Sequence, residues 1–247
     1  GRRCDHGAGG VSYTWMRQYS PERIAVLVTG IVACGILVVA ARRVRGAPWL
    51  TRARQVTGWV LMVLAGAWLV FTLWPGNLHV TEALPFHLCD RLRYILSYGL
   101  ITGDERALAI TYYWGILLNP QAIVTPYLPY VHHPAWVQFA GYWFFHMVAL
   151  IVPIVMVAGF GWRPTWRDFR FVAAVSPGWM AVAGLANRIT GGNYGFFAHK
   201  PPTPSIIDIF HRAGWKRHYW ILEVILIAIV WTGVMTWPLT ARSTGPR

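Results

Sequence analysis

A histidine, a cysteine, an aspartate and two arginines lie within seven consecutive residues of an otherwise apolar stretch. Residues 84–93 read LPFHLCDRLR, which places these side chains at His87, Cys89, Asp90, Arg91 and Arg93. A cysteine thiol attacks an acyl carbonyl when a neighbouring imidazole takes its proton, and arginine binds phosphate or carboxylate through two parallel hydrogen bonds. These residue types predict acyl-transfer chemistry on a phosphate-bearing substrate, or else buried ion pairs that fix helix packing.

Cys89 is the candidate nucleophile, and His146 and His87 are the candidate bases. Residues two apart on an ideal α-helix point about 200° away from each other, so His87 pairs directly with Cys89 only if Pro85 distorts the turn. His146 comes from another predicted helix, where it ends an aromatic run at 142–146, and is the better geometric partner. The alternative is that Cys89 is a small buried packing residue.

Other polar residues in apolar segments are candidates for substrate binding, because such residues are costly inside a membrane and usually functional. The aspartate forms an ion pair with one of the arginines that is either structural or part of a headgroup site. Two asparagines either cap broken helix ends or stabilise an oxyanion. A glutamate is the counter-charge to an arginine, or a base. This predicted binding set consists of Asp90, Arg91, Arg93, Asn119, Asn187 and Glu223.

No metal or cofactor site is predicted. His132 and His133 lie in an uncharged loop without Cys, Asp or Glu at ligand spacing, which a zinc site would need. The chain also lacks the glycine-rich phosphate-binding motifs of nucleotide-dependent enzymes.

The elements that must position these side chains are membrane-spanning helices. Of the 247 residues, 55% are hydrophobic and 13% are charged, whereas a soluble domain has about 25% charged residues. The segments 24–41 and 56–76 carry no charge, and about 20 apolar residues suffice to cross a bilayer. We expect an all-α polytopic membrane bundle of about seven transmembrane helices, near 24–41, 56–75, 84–101, 107–124, 136–158, 169–187 and 218–238.

A single transmembrane domain is expected over residues 24–238. Residues 1–23 form an N-terminal tail and interfacial segment, and 239–247 form a C-terminal tail. The connection 188–217 is long but rich in aromatic and apolar residues, which favours an ordered loop that closes the pocket. The net charge of +13 comes mainly from basic residues at span ends and loops, so we predict contact with anionic lipid and no nucleic-acid binding.

Loop charges orient the predicted spans. Five arginines follow the first span and three follow the fifth, whereas the loops after the second and fourth spans carry neither Lys nor Arg. By the positive-inside rule the N-terminus lies outside and the C-terminus is cytoplasmic. Counting about 1.5 Å per residue then puts the polar residues roughly 5–15 Å below one membrane face, which predicts one shared pocket in a single leaflet.

The motif at 84–90 resembles the Leu-Pro-x-His-Leu-Cys signature of YwaF-like bacterial integral membrane proteins. The Leu-Asn-Pro at 118–120 resembles their broken-helix element, and 187–202 resembles their Asn…Gly-x-Asn-Tyr…Lys-Pro stretch. The similarity covers roughly residues 77–238. This resemblance adds further residues to the predicted substrate-binding set, namely Asn193, Tyr194 and Lys200.

The YwaF-like proteins are grouped with the eukaryotic transmembrane protein 164 family. That grouping implies a helical membrane protein that transfers lipid acyl chains through a cysteine intermediate. In the eukaryotic pattern Cys-His follows the Asn-Pro element, whereas this chain has Gln121 and Ala122 there. The resemblance therefore implies acyl transfer here only with Cys89 as the replacement nucleophile.

The leading hypothesis is a lipid-handling enzyme, an acyltransferase with a Cys-His site in a polar pocket and with membrane lipids as partners. One alternative is a transporter or lipid-binding protein that uses the same pocket without covalent chemistry. The other is a non-catalytic membrane subunit whose buried charges serve helix packing. In each case we expect a multi-pass protein of the bacterial plasma membrane.

Overall fold

Helices form the regular structure of the chain in a computed structural model that describes residues 20–198 and 219–241. Within these two ranges there is no β-strand, and seven helical segments follow one another. This confirms the predicted all-α fold. The first three segments are uninterrupted helices: α1 Pro21–Arg43, α2 Leu50–Leu73 and α3 Leu88–Thr102.

Three of the four later segments contain π-helical turns, in which the backbone hydrogen bonds shift by one residue. α4 Glu105–Tyr113 continues into the π-helical turn Trp114–Leu118, and α5 Pro120–Val124 follows directly after Asn119. The fifth segment is α6 Ala135–Ile154 with the π-helical end Val155–Gly159, and the sixth is α7 Trp166–Thr190. The last consists of α8 Tyr219–Val230, the π-helical stretch Trp231–Thr236 and α9 Trp237–Ala241.

Each of the seven predicted spans coincides with one helical segment, and the chain is a multi-pass membrane protein. Four of the described helices are long and apolar enough to cross a bilayer: α1, α2, Ala135–Gly159 and α7. α3 has 15 residues and extends only about 22 Å at 1.5 Å per residue. The predicted start of the third helix at residue 84 is wrong, because residues 84–86 form turns and His87 is the N-cap.

Exposed aliphatic side chains line the outward faces of α1 and α2. Ile31, Ile36 and Val63 are 74%, 63% and 67% exposed. Water disfavours such a continuous apolar surface, whereas the hydrocarbon of a bilayer accommodates it. These faces therefore mark where the bundle contacts lipid.

Two buried tyrosines join the fourth helical segment to the last. The Tyr113 hydroxyl and Thr236 Oγ1 are 2.7 Å apart, and the Tyr112 hydroxyl donates to the Met235 carbonyl at 2.9 Å. Met235 and Thr236 belong to the π-helical stretch, where shifted backbone bonds leave carbonyls for side-chain donors. The two segments are thereby held together by polar as well as apolar contacts.

Two arginines form hydrogen bonds at the end of the bundle where α1 and the fifth segment terminate. Arg42 donates to the Ala158 carbonyl at 2.8 Å, and Arg45 donates to the Gly159 carbonyl. Both carbonyls lie in the last turn of the fifth segment, where the helix dipole favours cations. The arginine-rich α1–α2 loop is thus tied directly to the end of α6.

Side-chain amides organise the loops at the opposite end, where α3 and α6 begin. Asn77 donates to the His133 carbonyl at 3.0 Å and accepts from the His133 N–H at 2.7 Å. Gln138 donates to the Pro129 carbonyl at 2.8 Å and accepts from the His132 N–H at 3.0 Å. These bonds satisfy backbone groups that the loops would otherwise bury unpaired, and they fix the two loops against each other.

Candidate functional site

A cavity of about 400 Å³ lies below these loops, within the range of roughly 300–1,000 Å³ that small-molecule sites occupy. Its wall is mostly apolar and includes residues of α2, α3, α5, α6, α7 and α8. Six of the residues singled out in the sequence line it: His87, Cys89, Asp90, Arg93, Asn119 and His146.

His87 occupies an extended position just before α3, with φ −64° and ψ 152°. Its backbone N–H donates to the Asp90 carboxylate at 3.1 Å, as in a capping box. The ideal-helix angle between His87 and Cys89 therefore does not apply. The Gly195 N–H donates to His87 Nδ1 at 3.4 Å. Because Nδ1 accepts, the proton of the neutral ring is on Nε2.

His146 is held in the opposite tautomer in the fourth turn of α6. Its Nδ1 lies 2.6 Å from the Tyr142 carbonyl oxygen, which can only accept, so Nδ1 carries the proton. Nε2 then has a free lone pair, and it has no hydrogen-bond partner among the described residues. The Asn119 amide donates to the His146 carbonyl at 2.8 Å and fixes this turn. His146 thus has the protonation state of a base.

Cys89 has a free, half-buried thiol in the first turn of α3. A helix N-terminus stabilises negative charge placed in its first turn. Arg93, one turn after Cys89 in α3, lies over the ring of Phe145, which directly precedes His146 in α6. The thiol and both imidazoles therefore belong to one end of the cavity.

Arg93 forms an ion pair with Asp90 in the cavity wall. Arg93 is 8% exposed, and its guanidinium lies over the Phe145 ring at 4.7 Å and the Trp68 ring at 5.7 Å. Its charge is therefore compensated by one carboxylate and two aromatic faces. Of the two pairings left open by the sequence, Asp90 uses Arg93. Arg91 instead lies over Phe86 at 5.3 Å and is not among the lining residues.

Asn187 holds the segment that follows α7. Its amide donates to the Tyr194 carbonyl at 2.9 Å and accepts from the Tyr194 N–H at 2.5 Å. The Tyr194 hydroxyl in turn donates to the Val80 carbonyl at 2.6 Å. Asn193 accepts from the Ala198 N–H at 3.1 Å. These three predicted binding residues lie outside the described cavity wall, and they position a segment that does line it: Gly195, Phe196 and Phe197.

Two residues of the predicted set have side chains outside the part that the structure describes. Lys200 lies outside the described residues. Glu223 falls within α8, whose neighbouring residues Val224 and Ile227 line the cavity.

Glu82 is a lining residue that sequence reasoning missed. It lies in the loop before α3, and burial raises the pKa of its carboxyl to about 7. The only sequence signal was an acidic residue two positions before the Leu-Pro-x-His-Leu-Cys motif. The loop that carries it is held by the Tyr194 hydroxyl, which bonds the backbone of Val80 and Leu84, and the sequence pattern does not contain these contacts.

Two buried polar atoms of the cavity wall lack hydrogen-bond partners. They are Oδ1 of Asn119, an acceptor, and Nε1 of Trp231, a donor, on residues that are 2% and 4% exposed. Unpaired buried polar groups cost free energy and usually have a functional explanation. A ligand with one donor and one acceptor group is of the right polarity to pair them.

The other end of the cavity is apolar and built from the last two long segments. α7 contributes Phe169, Ala173 and Met180, and α8 contributes Val224 and Ile227. The cavity therefore has a reactive end at α3 and α6 and an apolar end between α7 and α8. Among the described residues, no three His, Cys, Asp or Glu side chains are grouped so that they could hold a metal ion.

Comparison with known proteins places the chain in a family. No curated protein and no solved structure matches it. The sequence pattern of the TMEM164 family matches residues 18–235, from before α1 into the last π-helical stretch. This span covers the first six helical segments, most of the seventh and the whole described cavity wall, and it confirms the resemblance to the transmembrane protein 164 family. The chain therefore belongs to the TMEM164 family.

Proposed function

We propose that this protein is a membrane-embedded acyltransferase that moves an acyl chain between lipids through a thioester on Cys89. The observation that carries this proposal is that Cys89, His87 and His146 line one cavity that also has an apolar end. A reactive end beside an apolar one suits an ester-linked lipid, whose head and chain differ in the same way.

The reaction proceeds in two balanced halves. Cys89 Sγ attacks the ester carbonyl of the donor lipid, and His146 Nε2 takes the thiol proton. The ester C–O bond then breaks, and the leaving alkoxide receives that proton. In the second half, an acceptor hydroxyl gives its proton to His146 as its oxygen attacks the thioester. The C–S bond breaks, and Cys89 recovers the proton.

The tautomers assign different roles to the two histidines. His146 presents an unprotonated Nε2 and acts as the base, whereas His87 presents Nε2–H and donates a hydrogen bond to the oxyanion. The unpaired atom of Asn119 is an acceptor, so it pairs with a donor on the lipid and not with an oxyanion. Asn187 is engaged with Tyr194 and supports the site from outside.

The charges around Cys89 favour base-assisted attack over a preformed thiolate. Arg93 is the nearest guanidinium, but Asp90 compensates it. The remaining electrostatic support comes from the N-terminus of α3. The proton must therefore leave the thiol as the new bond forms, which makes His146 necessary for the first half-reaction.

The test uses Cys89→Ser in membranes supplied with phospholipid that carries a labelled acyl chain. We expect acyl exchange to fall by at least about 100-fold, since the nucleophile is lost. The unmodified protein should also carry a labelled acyl group that hydroxylamine removes. Cys34→Ser is the matched control, because Cys34 is a free thiol in α1 that does not line the cavity. Undiminished exchange in Cys89→Ser would eliminate the mechanism.

A lipid-binding protein or transporter without covalent chemistry is the second candidate. It is favoured by Asn119 Oδ1 and Trp231 Nε1, which a bound lipid would pair without any reaction. Under this alternative Cys89→Ser binds lipid normally, and no acyl-protein forms. Trp231→Phe, which removes the indole N–H donor and keeps an aromatic ring, would then weaken lipid binding.

The proposed orientation places the reactive end in the outer leaflet of a bacterial plasma membrane. Basic residues near α1 and α2 mark the cytoplasmic side, and the loops before α3 and α6 lie on the other side. We also propose that the chain is one of the YwaF-like bacterial proteins. A reporter fused to the C-terminus that is active only in the cytoplasm tests the orientation; its inactivity would reverse it.

A further inference from the structure

The apolar end of the cavity is open to the outside between α7 and α8. Val224 lines the cavity and is 40% exposed. Pro177 and Ala228 also line the cavity and are exposed. The other described lining residues are buried or half-buried, so exposure confined to these three marks the rim of an opening. The three residues come from both helices, so the opening lies between them.

The surface around this opening is apolar. Leu185 of α7 and Ile225 and Ile229 of α8 are 59%, 50% and 62% exposed. Such side chains face hydrocarbon in a membrane protein. The opening therefore leads into the bilayer and not into water.

The helices at the opening are built so that they can separate. Pro177 lies inside α7 and has no N–H to donate to Ala173 four residues earlier, which weakens the helix at the rim. Ala173, Ser176 and Ala228 are small lining residues and leave space between the helices. α7 packs instead against the π-helical stretch after α8, which holds the two helices together beyond the opening.

The loop side of the cavity has different chemistry. Its lining residues in the loops include Glu82, Thr125 and Tyr127. These polar groups suit the head of a lipid, whereas the α7–α8 side suits its chain.

We propose that one acyl chain of a membrane lipid enters the cavity sideways through the α7–α8 opening, while the lipid head stays at the loop end. This inference rests on the proposed function in taking the cavity as the lipid site. It adds the route and the direction in which the substrate lies: the ester reaches Cys89 with its chain extending between α7 and α8. No movement of the whole lipid through water is required.

The first experiment measures alkylation of Cys89 in nanodiscs, in a full-length chain with Cys4 and Cys34 replaced by Ser. The two reagents are N-hexadecylmaleimide, which arrives through the bilayer, and N-ethylmaleimide, whose small size does not confine it to the α7–α8 opening. We expect Ala228→Trp to slow the hexadecyl reagent by about tenfold or more by filling the opening, and to leave the ethyl reagent nearly unchanged.

Ile229→Trp is the matched control, because Ile229 is the next residue on the same exposed helix and does not line the cavity. Equal hexadecyl rates in the two variants would overturn the proposed route. Slowing of both reagents by Ala228→Trp would show that the cavity itself has changed. The second experiment then decides.

The second experiment uses the unmodified protein and a phospholipid with a photoreactive diazirine near the end of one acyl chain. Crosslinks to the cavity residues Ala173 and Ile227 support the route. Crosslinks confined to outward residues such as Ile225 and Ile229 overturn it. This result does not depend on thiol chemistry, so a chain whose Cys89 proves unreactive would refute the proposed function and leave the lipid route testable.

Discussion

The two cavity histidines differ in which ring nitrogen carries the proton. The Tyr142 carbonyl makes His146 Nδ1 a donor, and the Gly195 N–H makes His87 Nδ1 an acceptor. Neither assignment depends on a charged neighbour. Backbone groups alone therefore prepare one imidazole to take a proton and the other to donate a hydrogen bond.

Replacing each histidine by Gln separates these roles. His146→Gln loses its base and should lower the rate of acyl-protein formation by about 10²–10⁴-fold. His87→Gln keeps an N–H donor at the same reach and should lose much less. Rates of thioester formation measured by rapid quench give the comparison. Equal losses in the two variants would contradict the division of roles.

Asp90 is expected to be a strong determinant of stability. Asp90→Asn leaves the buried Arg93 charge without its counter-ion, which typically costs about 3–5 kcal/mol. Thermal unfolding in nanodiscs measures the effect. Arg91→Gln is the control, since among the described residues Arg91 forms no ion pair and lies over the Phe86 ring, and it should cost less than about 1 kcal/mol. A small effect of Asp90→Asn would show that Arg93 finds another partner.

Glu82 makes stability depend on pH. Burial raises the pKa of its carboxyl from 4.5 to about 7, so the folded chain holds this proton more tightly than the unfolded chain. The stability gained from the Glu82 proton is fully present below the pKa of the unfolded chain, and it is lost as the pH rises through about 7. We expect the melting temperature to fall between about pH 5 and pH 8, and this fall to shrink in Glu82→Gln. Glu105→Gln, at the exposed start of α4, should keep the wild-type profile.

At the level of the helices, the short α3 decides the geometry of the site. Because it begins at Leu88, His87 leaves the helix and Cys89 enters its first turn. The apolar triplet before His87 can continue a helix or form a turn inside protein, and hydropathy does not distinguish the two. For the same reason hydropathy located all seven helical segments but not the start of this one.

Other parts of the site depend on contacts that no local pattern contains. The spacing of Asp90 and Arg93 allows an i, i+3 pair, so this ion pair was among the predicted alternatives. In contrast, the depth of Asn187 in the sequence predicts a substrate-binding residue. In the structure its amide bonds the backbone of Tyr194 instead. Glu82 was missed because the loop around it is folded by side chains far away in sequence.

Gly141 sets the contact between α6 and α2. A Cβ at this position would meet the ring of Trp68, which lines the cavity and covers Arg93. Gly141→Ala should therefore destabilise the protein by about 1–3 kcal/mol and slow alkylation of Cys89. Gly35→Ala is the control, because Gly35 lies in α1 with open space around it, and it should stabilise by about 0.5–1 kcal/mol. Thermal unfolding and the maleimide assay measure both effects.

At the level of the whole molecule, the arginines that predict orientation also make structural contacts. Arg42→Lys with Arg45→Lys keeps the loop charge and should leave the topology unchanged. It should still lower stability by roughly 1 kcal/mol, because the guanidinium hydrogen bonds to the end of α6 are lost. Arg43→Lys is the control, since the Arg43 side chain makes no hydrogen bond within the described residues. Reporter fusions and thermal unfolding measure topology and stability separately.

Arg42 and Arg45 hold one end of the bundle together by donating hydrogen bonds to carbonyls at the end of the fifth segment. The cavity lies towards the other end of the bundle, where Arg23 at the start of α1 donates to the carbonyls of Ile123 and Val124 at the end of α5. Arginine side chains therefore bond α1 and the loop after it to neighbouring segments at both ends. Entry of a lipid between α7 and α8 would leave these contacts in place, because neither helix takes part in them.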